Sequence, residues 1–188
     1  MSLPPVPDSR PPSPPVPFDP AACATQVTTT QALIDNIPYI AMLALGAALL
    51  ATTLPTPWPL PAAVAYVLYG LAGALWIMRF ICPHCVFYAT RLCPCGYGAI
   101  AARLAPRGPG DNFRRQFRRH IPVIVPLWLL PLVPAIPPLL RSFHSGLLIQ
   151  VLLYAVNSFL VLPLVARWYG CARCPQKATC PWMGGCKG

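Results

Sequence analysis

Four stretches of the chain are almost wholly apolar: residues 37–54, 62–81, 121–140 and 147–166. Each approaches the ~20 residues that a helix needs to cross the hydrocarbon core of a bilayer. The segments between them are short, polar or basic. The pattern predicts an all-α integral membrane protein, a bundle of four transmembrane helices in a single membrane domain over residues 26–188. Small residues recur three and four apart in the first two spans: Ala44, Ala47, Ala48 and Ala51, then Gly70, Gly73 and Ala74. In lipid such spacing lets helix backbones approach, so it reads as a packing signal. Residues 26–36 are expected to form a short surface helix ahead of the first span.

The third span carries Pro122, Pro126, Pro131, Pro134, Pro137 and Pro138. An interior proline removes a helix hydrogen bond. The carbonyls so released need partners that lipid cannot supply, so this span is expected to be kinked and covered by neighbours or a ligand. On the fourth span Gln150, Tyr154, Asn157 and Ser158 fall on one helical face. Interhelical hydrogen bonding is the first expectation for them; the functional alternative is a polar pocket for a quinone headgroup, lined by Gln150, Tyr154 and Asn157. No carboxylate or lysine lies within any of the four spans, which argues against a proton-coupled carrier.

Composition supports the membrane reading. The 188 residues are 56% hydrophobic and 10% charged, against roughly 25% charged residues in soluble domains. The first twenty residues hold nine prolines and no apolar run. They predict a disordered, partly polyproline-II tail over residues 1–25 rather than a cleavable leader.

Net charge is +10, and thirteen of the fourteen Lys and Arg fall on or beside the face shared by the tail, the 82–120 connection and the C-terminus; only Arg141 lies on the other face. The positive-inside rule makes the basic face cytoplasmic. The expected location is therefore the inner (cytoplasmic) membrane, with both termini in the cytoplasm. The partners expected for that charge are anionic lipid and protein subunits, not nucleic acid. Trp58 at one edge, and Trp168 with Tyr169 at the other, fit an interfacial aromatic belt. Asp111 is the expected N-cap of a basic amphipathic helix over 112–120, in which Phe113 and Phe117 lie four apart while Arg114, Arg115, Arg118 and Arg119 face elsewhere.

Eight of the nine cysteines form two sets in loops 82–98 and 170–188. Cys82, Cys85, Cys93 and Cys95 are spaced C-x2-C-x7-C-x-C; Cys171, Cys174, Cys180 and Cys186 are spaced C-x2-C-x5-C-x5-C. Cys23 stands apart in the tail. In a reducing compartment clustered thiols read as metal ligands rather than disulfides. Two sets of four match two tetrahedral thiolate sites, for iron–sulfur clusters or zinc. Cys-Pro occurs at Cys82, Cys93, Cys174 and Cys180, a dipeptide that recurs at cluster ligands. Cys171-x2-Cys174-x5-Cys180 resembles the start of the auxiliary-cluster loop of SPASM-type radical enzymes; over so few residues the resemblance implies a ligand loop and does not extend to those enzymes' activity. Arg79, Arg91, Arg103, Arg173 and Lys177 lie near enough in sequence to offset thiolate charge.

The resulting expectation is electron transfer by a subunit of a membrane redox complex, a possible oxidoreductase component. The alternative is a non-enzymatic adaptor or assembly factor with zinc-stapled loops. A further alternative is a thiol-disulfide oxidoreductase, since Cys82-Pro-His-Cys85 resembles the active-site tetrapeptide of DsbA-like thiol oxidants. His84 is expected to be exposed or to support the site rather than ligate. Cys93 and Cys95, two apart on an extended chain, are expected to point in opposite directions and to be open to service in different sites.

Overall fold

The computed structural model describes residues 28–91, 93–141 and 144–171, the last three as backbone alone. Cys174, Cys180, Cys186 and Cys23, together with the whole Pro-rich tail, lie outside the described residues. Every regular element among the described residues is helical. Four helical stretches are long and apolar enough to cross a membrane: Thr29–Thr53, Pro59–His84, Gly110–Arg141 and Ser145–Trp168.

The first is α1, Thr29–Thr53, capped by the Thr28 hydroxyl, which accepts from the Gln31 N–H at 3.3 Å. It runs through Pro38 without a break, so residues 29–36 of the expected surface helix are the first turns of the span itself. Helix α2, Pro59–Phe80, opens with Pro59 in its first turn, where a missing N–H costs nothing. A 3-10 turn, Cys82–His84, extends it. Helix α3, Tyr97–Leu104, and the basic helix α4, Phe113–His120, follow in the connection. The cap before α4 is Asn112, with no side-chain bond; Asp111 sits one residue earlier, inside the 3-10 turn Gly110–Asn112, so it does not cap α4.

The third span is segmented by its prolines as the sequence implies. A 3-10 turn at Ile121–Ile124 leads into α5, Pro126–Leu129, and α6, Leu132–Arg141. The fourth comprises α7, Ser145–Val156, a π turn at Asn157–Val161, α8, Leu162–Val165, and a second π turn, Ala166–Cys171.

Helix α1 is the most enclosed span and touches the other three. The buried core joins Met42, Leu43, Leu49 and Leu50 of α1 to Tyr66, Ile124, Leu127, Ala135 and Tyr154. The α1–α2 seam is set by glycines. A Cβ on Gly46 would stand 2.5 Å from the Tyr66 ring, and one on Gly70 would stand 2.3 Å from a Leu43 methyl. The alanine stripe contributes less than its spacing suggests: Ala44, Ala48 and Ala51 are exposed, and only Ala47 packs against the core. Outward faces carry Leu68, Leu71, Leu75, Leu152, Leu153 and Val156, all about half exposed. A bilayer, where lipid tails cover such faces, is their natural solvent.

Polar groups inside the bundle tie the spans together. Pro131 has no N–H to offer the Leu127 carbonyl four residues earlier. That carbonyl instead accepts from the Tyr154 hydroxyl at 2.6 Å and the Tyr66 hydroxyl at 3.0 Å. The Ser158 carbonyl, in a π turn whose i+5 residue is Pro163, likewise accepts from Trp128 Nε1 at 3.2 Å. The Asn157 amide donates to the Pro38 carbonyl at 2.9 Å, Tyr39 donates to the Gly70 carbonyl at 2.8 Å, and Tyr69 donates to the Val123 carbonyl. The Thr52 hydroxyl donates to Gln150 Oε1 at 3.0 Å. Gln150, Tyr154 and Asn157 thus each hold a partner on another span. The partners of Gln150 and Asn157 are on α1, rather than on the third span that faces Tyr154.

Candidate thiol site

The first cysteine set begins where α2 ends. Ile81 closes the helix by donating to Ile77, and the chain then turns through Cys82-Pro-His-Cys85, with the Cys85 N–H bonded to the Cys82 carbonyl at 3.0 Å. From there the chain folds back on itself. The Ala89 N–H donates to the Gly98 carbonyl at 3.0 Å, and Asn36 of α1 donates to the Cys95 carbonyl at 3.0 Å. The loop is thereby held against the start of α1, at the end of the bundle opposite the Thr52–Gln150 contact.

Cys93 and Cys95 do not diverge. Their sulfurs are 3.5 Å apart. The expected alternation requires extended backbone, and Pro94–Gly96 is a turn: the Gly96 N–H bonds the Cys93 carbonyl at 3.0 Å, and Gly96 itself has a φ of 74°. Glycine takes that left-handed conformation without a Cβ penalty. The turn delivers the chain into α3 with the Cys93 sulfur beside the helix N-terminus. The N–H groups of Cys95, Tyr97 and Gly98 all point to that sulfur. Those of Tyr97 and Gly98 are first-turn donors that no helical carbonyl can reach.

The electrostatic consequence is a division of labour between the two thiols. The hydrogen bond from Cys95, helped by the three N–H bonds and opposed by burial, brings the Cys93 thiol down to about 6. The same bond, reinforced by burial and the Cys93 charge, pushes Cys95 well up. Tyr97 is also raised, by burial and then by the nearby Cys95. One proton therefore sits between two sulfurs, with Cys93 as the thiolate. Cys82 lies within electrostatic reach of Cys85, Cys93 and Cys95. No disulfide joins Cys82, Cys85, Cys93 and Cys95.

The back of the loop is strapped by the connection to α4. His84 Nδ1 donates to the Pro109 carbonyl at 2.8 Å, which fixes the tautomer and leaves Nε2 as the acceptor nitrogen. The Gly108 N–H donates to the Pro83 carbonyl at 3.0 Å, and a Cβ on Gly108 would stand 2.2 Å from the His84 ring. Tyr88 donates to the Ala105 carbonyl at 2.6 Å. His84 thus supports the loop, a role that the tetrapeptide did not specify. Neither Asn36 nor Gly98 was marked by the cysteine spacing; the signal that could have found Gly98 is the pair of glycines in Gly96-Tyr-Gly98.

Among the described residues, no three His, Cys, Asp or Glu side chains stand close enough together to hold one ion. Cys171, the first of the second set, ends the π turn Ala166–Cys171 at the close of the described residues. The other three cysteines of that set lie outside the described residues, so the division of ligands between sites is seen only from one side. No protein-family model matches this chain, and no curated protein or solved structure is significantly similar to it.

Proposed function

We propose that this chain is a multi-pass protein of the cytoplasmic membrane that binds metal through thiolates at its cytoplasmic face. The group held is an iron–sulfur cluster, and the role is one-electron transfer within a larger membrane redox complex. The observation that carries the reading is the Cys93-Pro-Cys95-Gly96 turn. It sets two sulfurs 3.5 Å apart and aims three backbone N–H groups at one of them. Thiolates are what soft metals require. N–H bonds to ligand sulfur are among the levers that set a cluster's potential. Cys82, Cys85, Cys93 and Cys95 would hold the group at one site, and Cys171, Cys174, Cys180 and Cys186 at the other. A bound cluster would supply one-electron chemistry. The chain contributes thiolates, N–H donors and a partly dry surround at the lipid edge, where a membrane quinone is a suitable exchange partner.

Purification of the full chain without oxygen, followed by an absorption spectrum and iron, sulfide and zinc analysis, tests the reading. Visible absorbance with iron and acid-labile sulfide supports it. Colourless protein with stoichiometric zinc shows a stapled adaptor instead, in which metal closes loops too small to build a core. The low-lying thiol of Cys93 favours thiol exchange as a second reading, because thiolate is the nucleophile. Metal-free protein in which Cys93 is found in mixed disulfides is the result that selects it.

A further inference from the structure

Helix α4 carries four of the ten exposed arginines among the described residues, and the thiol site does not account for them. Arg114, Arg115, Arg118 and Arg119 are all exposed, while Phe113 and Phe117 are half-buried with ring centres 5.9 Å apart. At about 100° per residue the four arginines span an arc of about 140°, and the two phenylalanines fall opposite it. The helix runs into the membrane-spanning segment through the 3-10 turn Ile121–Ile124 with no non-helical residue at the junction. Gly110–Arg141 is one helical stretch of 32 residues, or about 48 Å at ~1.5 Å per residue, against a hydrocarbon core of ~30 Å. The apolar part, residues 121–140, fills that core by itself. The eight residues of α4 are left at the depth of the phosphates.

Two further features share that level. His120 stacks on Phe80 of α2 with centres 4.8 Å apart, and Trp76 completes the aromatic cluster at 4.3 Å from Phe80. The Arg79 guanidinium lies 5.4 Å from the Phe80 ring. Arg79 thus meets the aromatic cluster that closes α4 at His120, and the four exposed arginines of α4 follow within the preceding six residues, with Asp111 as the carboxylate closest in sequence. A zwitterionic headgroup offers such a surface no net attraction, whereas a phosphodiester without a balancing amine does.

We infer that α4, with Arg79 and the Trp76–Phe80–His120 cluster, is a binding face for anionic glycerophospholipid headgroups. It holds the basic end of the third span, and the strap behind His84, at a fixed depth. The inference is independent of what the thiols bind.

The test offers the purified full chain, in neutral detergent, equal amounts of phosphatidylglycerol and phosphatidylcholine, and reads retained lipid by native mass spectrometry. Phosphatidylglycerol is expected to be enriched. Replacement of Arg114, Arg115, Arg118 and Arg119 by Gln lowers the enrichment by about fivefold for each arginine that contacts lipid, and Arg141→Gln leaves it unchanged. Should the fourfold variant fail to fold, the wild-type enrichment must still collapse in salt at which the screening length is about 3 Å. The inference is overturned by equal retention of the two lipids, or by enrichment that survives the substitutions or the salt. Retention of an acidic protein through these arginines, with no preference between lipids, overturns it equally.

Discussion

At Cys93 and Cys95 a single proton is shared unequally, and the cause is local geometry rather than net charge. Cys93 receives the Cys95 S–H and three backbone N–H groups, which together outweigh its burial and bring it down to about 6. Cys95→Ala removes the largest of these contributions. In metal-free, reduced protein the thiolate absorbance assigned to Cys93 should therefore titrate at a distinctly higher pH, while Cys95→Ser, which keeps an O–H donor, should restore much of the depression. An unchanged midpoint in Cys95→Ala shows that the sulfur contact does not set the proton. Gly98 gives a second residue-scale prediction. A Cβ there would meet the Phe87 carbonyl oxygen at 2.2 Å and the Cys93 Cβ at 3.1 Å. That carbonyl is itself fixed, accepting from the Thr90 hydroxyl at 2.9 Å. Gly98→Ala should cost about 1–3 kcal/mol as overpacking and abolish metal retention. Gly70→Ala should cost less in unfolding assays, because the Leu43 methyls it meets can swing aside.

Among the elements, the third span shows what proline does inside a bilayer. Each freed carbonyl must find a donor, since an unpaired one in hydrocarbon costs several kcal/mol. Leu127 finds two, Tyr66 and Tyr154, and a carbonyl oxygen has lone pairs for both. Either tyrosine alone still satisfies it. Tyr66→Phe and Tyr154→Phe should each destabilise the bundle by about 1 kcal/mol or less, and the double variant by more than their sum. Additive losses in a double-mutant cycle, measured by unfolding in mixed micelles, contradict the shared-acceptor arrangement. Proline positions in the sequence made the segmentation and the need for donors legible. The periodicity of Gln150, Tyr154 and Asn157 likewise revealed a polar face. What it could not reveal was the neighbour, because a helical period fixes direction around an axis and not which helix stands there. Asn157 and Gln150 reach α1 rather than the third span. The same limit explains the small residues: the seam runs through Gly46 and Gly70, which pack against Tyr66 and Leu43, and not through the longer alanine stripe. At the thiol loop the spacing marked the cysteines, but their grouping depends on the turn at Gly96, whose left-handed φ the spacing does not encode.

For the whole molecule, the arrangement of spans decides what chemistry the sulfurs can do. The start of α1 touches the cysteine loop through Asn36, and the end of α1 touches the start of α7 through Thr52. The thiol loop and the turn before Ser145 are therefore at opposite ends of the bundle. Among the described residues, the other arginines lie toward the thiol end and only Arg141 occupies the far one. If charge sets orientation by the positive-inside rule, the thiols face a reducing compartment, where sulfur stays available to metal. A membrane-impermeant maleimide added to intact cells should then leave Cys82, Cys85, Cys93 and Cys95 unmodified. It should label an added thiol in Ser145→Cys, which is exposed at the far end. After the cells are broken and metal is removed, the native cysteines should react. The reverse pattern places the pairs on the oxidising side. There a 3.5 Å sulfur pair is a dithiol on its way to a disulfide rather than half of a metal site, and the same turn that argues here for a cluster would argue instead for electron transfer by thiol exchange.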